Sequence, residues 1–284
     1  MGRFGEMGPG LGGTLAGKVI VITGSTRGIG RCMAEACAAE GAVVVVSSRT
    51  GSAVQETVAT LRATGAAASG IACDVSVESD LRALLDHAVS EHGAIDVWVN
   101  NAGISLGMRR HEQTSADEIR SIVDVNLVGT MLASRLVVPY LIERGGGVLI
   151  NVSGRGGRGD TAAYTAAYAA TKAGVMVFTK SLADEHKADP VSILVFMPGM
   201  VDTDFYGPDM QVSPDLVDLV GNIRIVLDAI GTPLADVGPK LCEVAAIRPG
   251  SETGTVHRVS GGMRGMVGGF RLMAARMSGR MKPM

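Results

Sequence analysis

The chain has 284 residues, 46% of them hydrophobic and 19% charged, so it can bury one sizeable core and fits a single α/β domain better than two average ones. A formal net charge of −2 provides no field for polyanions, which argues against nucleic acid as the main partner and for a small-molecule substrate. Cys32, Cys37, Cys73 and Cys242 show no CxxC pairing and the five histidines no ligand spacing. Neither a disulfide framework nor a metal site is therefore expected, and a reducing compartment is.

The Gly-rich residues 1–17 are expected to be loose and carry no signal-peptide core; no later run is read as a membrane span, so a soluble, cytoplasmic protein is expected. From Lys18 onward a short apolar run, a turn and a helical stretch recur. The pattern predicts strands over 19–23, 42–47, 67–72, 95–99, 147–152, 192–197 and 255–259. It predicts helices over 29–40, 52–64, 78–91, 115–143, 162–186, 214–230 and 235–246. Near-continuous Val/Ile/Leu strands alternating with helices mean a parallel sheet covered on both faces: a single doubly wound α/β domain over 18–262, with about seven parallel strands. Ligands of such sheets bind beyond the carboxyl ends of the strands, where the winding reverses.

The first strand runs into Thr23-Gly24-Ser25-Thr26-Arg27-Gly28-Ile29-Gly30 and then a helix. Glycines let this turn bend sharply and bring backbone N–H groups to a pyrophosphate, whose charge suits a helix N-terminus. The GxGxxG spacing occurs instead at Gly154, Gly156 and Gly159, outside a βα unit of the required kind, and is read as a chance match. The second strand ends in Ser47, Ser48 and Arg49 rather than in the acid that an NAD site places against the ribose hydroxyls. Arg49 and Arg27 can grip a 2′-phosphate, so NADP is favoured over NAD.

Tyr168 and Lys172 stand four apart and share a helix face. A free phenol has a pKa of about 10, and a neighbouring ammonium together with an oxidised nicotinamide is expected to draw it toward phenolate. With Asn100-Asn101-Ala102-Gly103 after the fourth strand, these motifs in this order resemble the short-chain dehydrogenase/reductase family over roughly residues 17–262. The resemblance implies a Rossmann-like fold and hydride transfer between a nicotinamide cofactor and a carbonyl or secondary alcohol, with Tyr168 as acid/base. It implies that Lys172 holds the nicotinamide ribose, that Asn126 holds a water linking Lys172 to solvent, and that Asp74 and Val75 lie near the adenine. Asn101, Ala102 and Gly103 would line the cofactor, and Pro198, Gly199, Val201 and Thr203 the nicotinamide. The family's serine falls about thirteen residues before its tyrosine; that count lands on Arg155 or, one step back, Gly154, so the role is assigned to Ser153, at the end of the fifth strand, through a longer loop. An NAD-dependent alcohol dehydrogenase of the same family, or a non-catalytic NADP-binding sensor, are the alternatives.

Tyr164 reads as a wall of the pocket, and the apolar segment 204–230 either as a lid over a bulky, apolar substrate or as core packing. The long apolar helices 115–143 and 162–186 resemble those the family uses for subunit pairing, implying a homodimer or homotetramer. After Glu252 no acid appears, and the tail 263–284 mixes Arg264, Arg271, Arg276, Arg280 and Lys282 with six methionines. Its glycines argue against a long stable helix, leaving disorder or docking on a partner subunit as the expectation; a basic, apolar tail can also bind a membrane surface.

Overall fold

A computed structural model describes residues 13–203, 206–207, 210–259 and 263–278. Its strands are β1 (Val19–Thr23), β2 (Val43–Ser48), β3 (Ala68–Ala72), β4 (Val97–Asn100), β5 (Gly147–Val152), β6 (Val191–Met197) and β7 (Val256–Arg258). They form one parallel sheet in the order β3-β2-β1-β4-β5-β6-β7. Every residue of β1, β4 and β5 is buried, which is why these strands lack a polar alternation. Successive side chains still divide between two cores: Ile20 and Ile22 pack with Met33 and Leu241 on one face, Val19 and Val21 with Trp98 and Leu141 on the other.

The helices are α1 (Gly28–Ala39), α2 (Gly51–Ala63), α3 (Glu78–His92), α4 (Ala116–Val123), α5 (Gly129–Glu143), α6 (Ala166–Glu185), α7 (Val220–Ile230), α8 (Leu234–Ala245) and α9 (Met263–Met277). The winding reverses between β1 and β4, opening a cleft bounded by the Gly turn before α1 and by residues 100–103 after β4.

Five sequence expectations are corrected. The helix 115–143 is interrupted by a π-helical turn, Asp124–Val128, between α4 and α5. Together Ala116–Glu143 does reach the length and apolarity of a membrane span, but half of its most apolar window is buried in the domain. The helix predicted from 162 starts at Ala166, because Tyr164 takes a left-handed φ of 66° that no helix accommodates. Residues 13–17 are docked rather than loose: Leu15 is fully buried and Thr14 donates through its N–H and its hydroxyl to Glu40, while residues 1–12 lie outside the described ones. Residues 263–277 of the glycine-rich tail form α9, whose Gly268 meets α7 so closely that a Cβ would stand 2.5 Å from the Ala229 carbonyl oxygen and 2.4 Å from Ile230, while residues 279–284 lie outside the described ones. Glycine lowers helix propensity, but here it permits the contact that holds the helix.

Candidate active site

Gly24 takes a φ of +65°, and a Cβ there would lie 2.8 Å from the Ala102 Cα. A Cβ on Gly30 would lie 2.1 Å from the Gly24 carbonyl oxygen. The turn is therefore built for close approach to its own second wall. Thr23 ties the walls together: its hydroxyl accepts from the N–H groups of Asn101 (3.0 Å) and Ala102 (3.1 Å). The Asn101 side chain donates to the carbonyls of Thr23 and Gly24. Arg27, at the N-cap of α1, gives no side-chain hydrogen bond to the helix start, so the first N–H groups of α1 face the cleft without a side-chain cap. Thr26, Gly28 and Ile29 are half-buried at this opening, and Arg27 is exposed. Ser25 sits deeper than its neighbours in the turn. It is fully buried, with its hydroxyl donating to the Ile22 carbonyl and accepting from the Ser47 N–H, so it staples the turn to β2.

At the far end, Ser48 is half-buried and Arg49 exposed beyond β2. Burial by itself would raise the Asp74 carboxyl, yet two hydrogen bonds from Ser76 and the charge of Arg49 hold it below its ordinary value. Val75 beside it is buried. On the other rim, Pro198 is buried, Gly199 turns with a φ of 86°, and Val201 bridges to Thr232 next to the half-buried Thr203. Uncapped α1 N–H groups, glycines where a Cβ would collide, and no acid closing β2 together fit a dinucleotide phosphate group.

Tyr168 and Lys172 face inward from the first turns of α6, with the Lys172 Nζ 5.8 Å from the Tyr168 ring centre. Nζ donates to the Val152 carbonyl (3.0 Å), and a Cβ on Gly103 would lie 3.6 Å from it. Burial pushes the Lys172 ammonium down to about 8. Burial also raises the Tyr168 phenol well above its ordinary value, and the Tyr206 hydroxyl adds to this. Without a bound nicotinamide, burial outweighs the pull toward phenolate expected of Lys172, because desolvation penalises both charged forms.

Asn126 is fully buried inside the π-helical turn. Its Oδ1 accepts from the Ile104 N–H (2.8 Å), while its Nδ2 donates to the Ile104 carbonyl and to Thr171 Oγ1. It locks the loop after β4 to α6, one residue from Lys172. The Ser153 hydroxyl donates to the Lys172 carbonyl at 2.9 Å, with the residue 1% exposed. The residue facing the phenol is Gly154, where a Cβ would lie 3.0 Å from the Tyr168 hydroxyl oxygen. The pocket beside Tyr168 is lined by Leu106, Arg109, His111 and Tyr164, among others. The segment after β6 closes against it, since Met108 and Val212 form a β-bridge and Arg109 binds both Glu118 and Gln211 (2.7 Å each). The strap falls in the segment 204–230 that the sequence offered as a lid or as core packing; the Thr23 clasp was not expected, and only the close of β1 on a threonine hinted at it.

Cleft, clasp and helix-borne Tyr–Lys pair define a nucleotide-dependent oxidoreductase site on a doubly wound sheet. The chain belongs to the short chain dehydrogenase family, whose sequence profile matches residues 18–211. It is 33% identical over 256 residues to a 3β-hydroxysteroid dehydrogenase of Eggerthella lenta, covering 88% of this chain and 94% of that protein. Among solved structures it resembles the 3-ketoacyl-(acyl-carrier-protein) reductase of Brucella melitensis complexed with NADH: TM-score 0.74, 29% identity, 88% of this chain and 99% of that one. A ketoreductase of actinorhodin polyketide synthesis with NADPH matches with TM-score 0.73 and 27% identity over 87% of this chain and 97% of that one.

Proposed function

We propose that the protein is an NADP(H)-dependent oxidoreductase acting on a ketone, aldehyde or secondary alcohol. The observation that carries this reading is the half-buried Tyr168 paired with the buried Lys172 beside Gly103, at the mouth of a cleft built for a dinucleotide. Bound NADP(H) would supply or take up the hydride. Tyr168 keeps its proton at neutral pH and delivers it to the carbonyl oxygen, while Lys172, one helical turn away, stabilises the phenolate left behind. Asn126 holds the loop over Lys172 in place, and Ser153 acts as a positioning residue for the Lys172 backbone. The N–H groups opening α1, from Thr26 to Gly30, take the pyrophosphate, Asp74 and Val75 border the adenine, and Asn101 to Gly103 with Pro198, Gly199, Val201 and Thr203 flank the nicotinamide.

Arg27 and Arg49 are exposed near the end of β2, where no carboxylate opposes them, which supports the 2′-phosphate and hence NADP. Relatives named for a hydroxysteroid and for ketoacyl chains support a bulky, apolar substrate, as do the Leu106 and Tyr164 walls. Exposed Met131 on α5 and Val177 on α6 support subunit pairing through these helices into a dimer or tetramer.

The test is a carbonyl panel followed by nicotinamide absorbance with each cofactor. Turnover with NADPH well above NADH is expected, and Tyr168→Phe is expected to abolish it with NADPH binding retained. A strong NADH preference refutes the arginine assignment; full activity of Tyr168→Phe refutes the tyrosine. Cofactor binding with no turnover on any substrate makes the protein a sensor instead.

A further inference from the structure

The C-terminal helix has two faces with opposite fates. One packs on the domain: Gly268 is buried against Ala229 and Ile230, and Leu272, four residues on, is half-buried. The other carries Phe270, Met273 and Met277, spaced by three and four residues along one stripe and 71%, 60% and 83% exposed. They are among the most exposed large apolar side chains of the described residues, and they stand together on one short element. Arg271 and Arg276 flank the stripe and are exposed. In a chain of net charge −2, the residues after Glu252 hold six Lys and Arg and no acid.

We infer that α9 is an interfacial anchor that lays this stripe into an anionic phospholipid surface. Three properties select a membrane. The apolar residues are long and unbranched at Cβ, suited to the acyl boundary, and arginines border them at the height of headgroup phosphates. The absence of any acid from the last 32 residues matches a negatively charged surface and nothing else about the fold requires it. A second copy docking stripe against stripe would bring the flanking arginines of the two copies together, a like-charge contact that the membrane turns into attraction. The anchor is held by its Gly268 face to α7, the helix that follows the strap; Val220 at the start of α7 and Val217 in the 3-10 turn before it, Pro214–Leu219, are also exposed (38% and 58%).

The experiment is co-sedimentation of the full chain with vesicles of phosphatidylcholine alone and of phosphatidylcholine mixed with phosphatidylglycerol. Binding is expected to the mixed vesicles, weakened by salt, and reduced about fivefold for each of Arg271→Gln and Arg276→Gln. The triple change Phe270→Ser, Met273→Ser, Met277→Ser should lower partitioning at least about tenfold while its melting temperature stays at that of the parent. No binding to mixed vesicles, or equal binding by the parent and the triple variant, overturns the proposal. So does a concentration-dependent dimer, seen by light scattering, that the triple variant alone loses and that excludes vesicle binding.

Discussion

At the residue scale, the direction of one hydroxyl separates two chemistries. Ser153 donates to the Lys172 carbonyl, whereas Gly154 faces the phenol. Ser153→Ala should therefore cost about 1 kcal/mol of stability, read by denaturant unfolding, and reduce turnover by less than about tenfold. A loss of about a thousandfold would return Ser153 to holding the substrate oxygen. Gly154→Ala has the opposite signature: a Cβ 3.0 Å from the Tyr168 oxygen displaces the phenol, so kcat should fall about tenfold or more with stability nearly unchanged. Lys172 yields a pH prediction. Its ammonium titrates at about 8 in the folded protein against 10.5 unfolded, so the unfolded chain binds more protons between these values. The destabilising burial of the charge is thus fully present below pH 8 and is relieved as pH rises from 8 toward 10.5. Lys172→Met should unfold at higher denaturant than the parent at pH 7, by about 2 kcal/mol, and lose that advantage by pH 10; equal stability at both pH values would refute the buried ammonium. Carbonyl reduction by the parent should decline as pH rises through 8.

At the scale of elements, function resides in interruptions of regular structure. The π-helical turn between α4 and α5 swings Asn126 inward, where an unbroken helix would continue the amphipathic stripe. The turn between β1 and α1 holds Gly24 at a positive φ against Ala102. Gly24→Ala should raise the KM for the dinucleotide about tenfold and lower stability by about 1–3 kcal/mol, with kcat at saturating cofactor changed far less. Unchanged cofactor affinity in that variant would show that the clasp between the two walls is dispensable. The sequence exposed these elements unevenly. β1 and β5 were bounded to the residue because fully buried strands read as unbroken apolar runs ending at Gly turns. The π-helical turn leaves no such mark, since Asp124–Val128 has the same apolar spacing as its flanks.

At the scale of the molecule, the sheet order sets the cleft, and α9 is attached outside it. Gly268 is the joint. Gly268→Leu would collide with the Ala229 carbonyl oxygen and release α9, so tryptic cleavage at Arg271 and Arg276 should accelerate while NADPH affinity holds. Unaltered protease resistance would mean that the helix is held by other contacts. The collision is with backbone, which cannot rotate away as a side chain could.

Local pattern determined much of this protein by itself: strand and helix alternation, the parallel doubly wound sheet, the glycine turn, and the four-residue spacing that sets Tyr168 over Lys172. These are properties of short windows, where hydrophobic period and glycine placement decide conformation. Tertiary structure alone decided where side chains point and what they cost. It turned Ser153 toward α6, brought Gly154 to the phenol, buried Lys172 until its ammonium titrates near 8, and gave a glycine-rich tail a surface on which to be helical. Each of these outcomes depends on groups distant in the chain, and desolvation and backbone-to-backbone approach leave no trace in the spacing of residues.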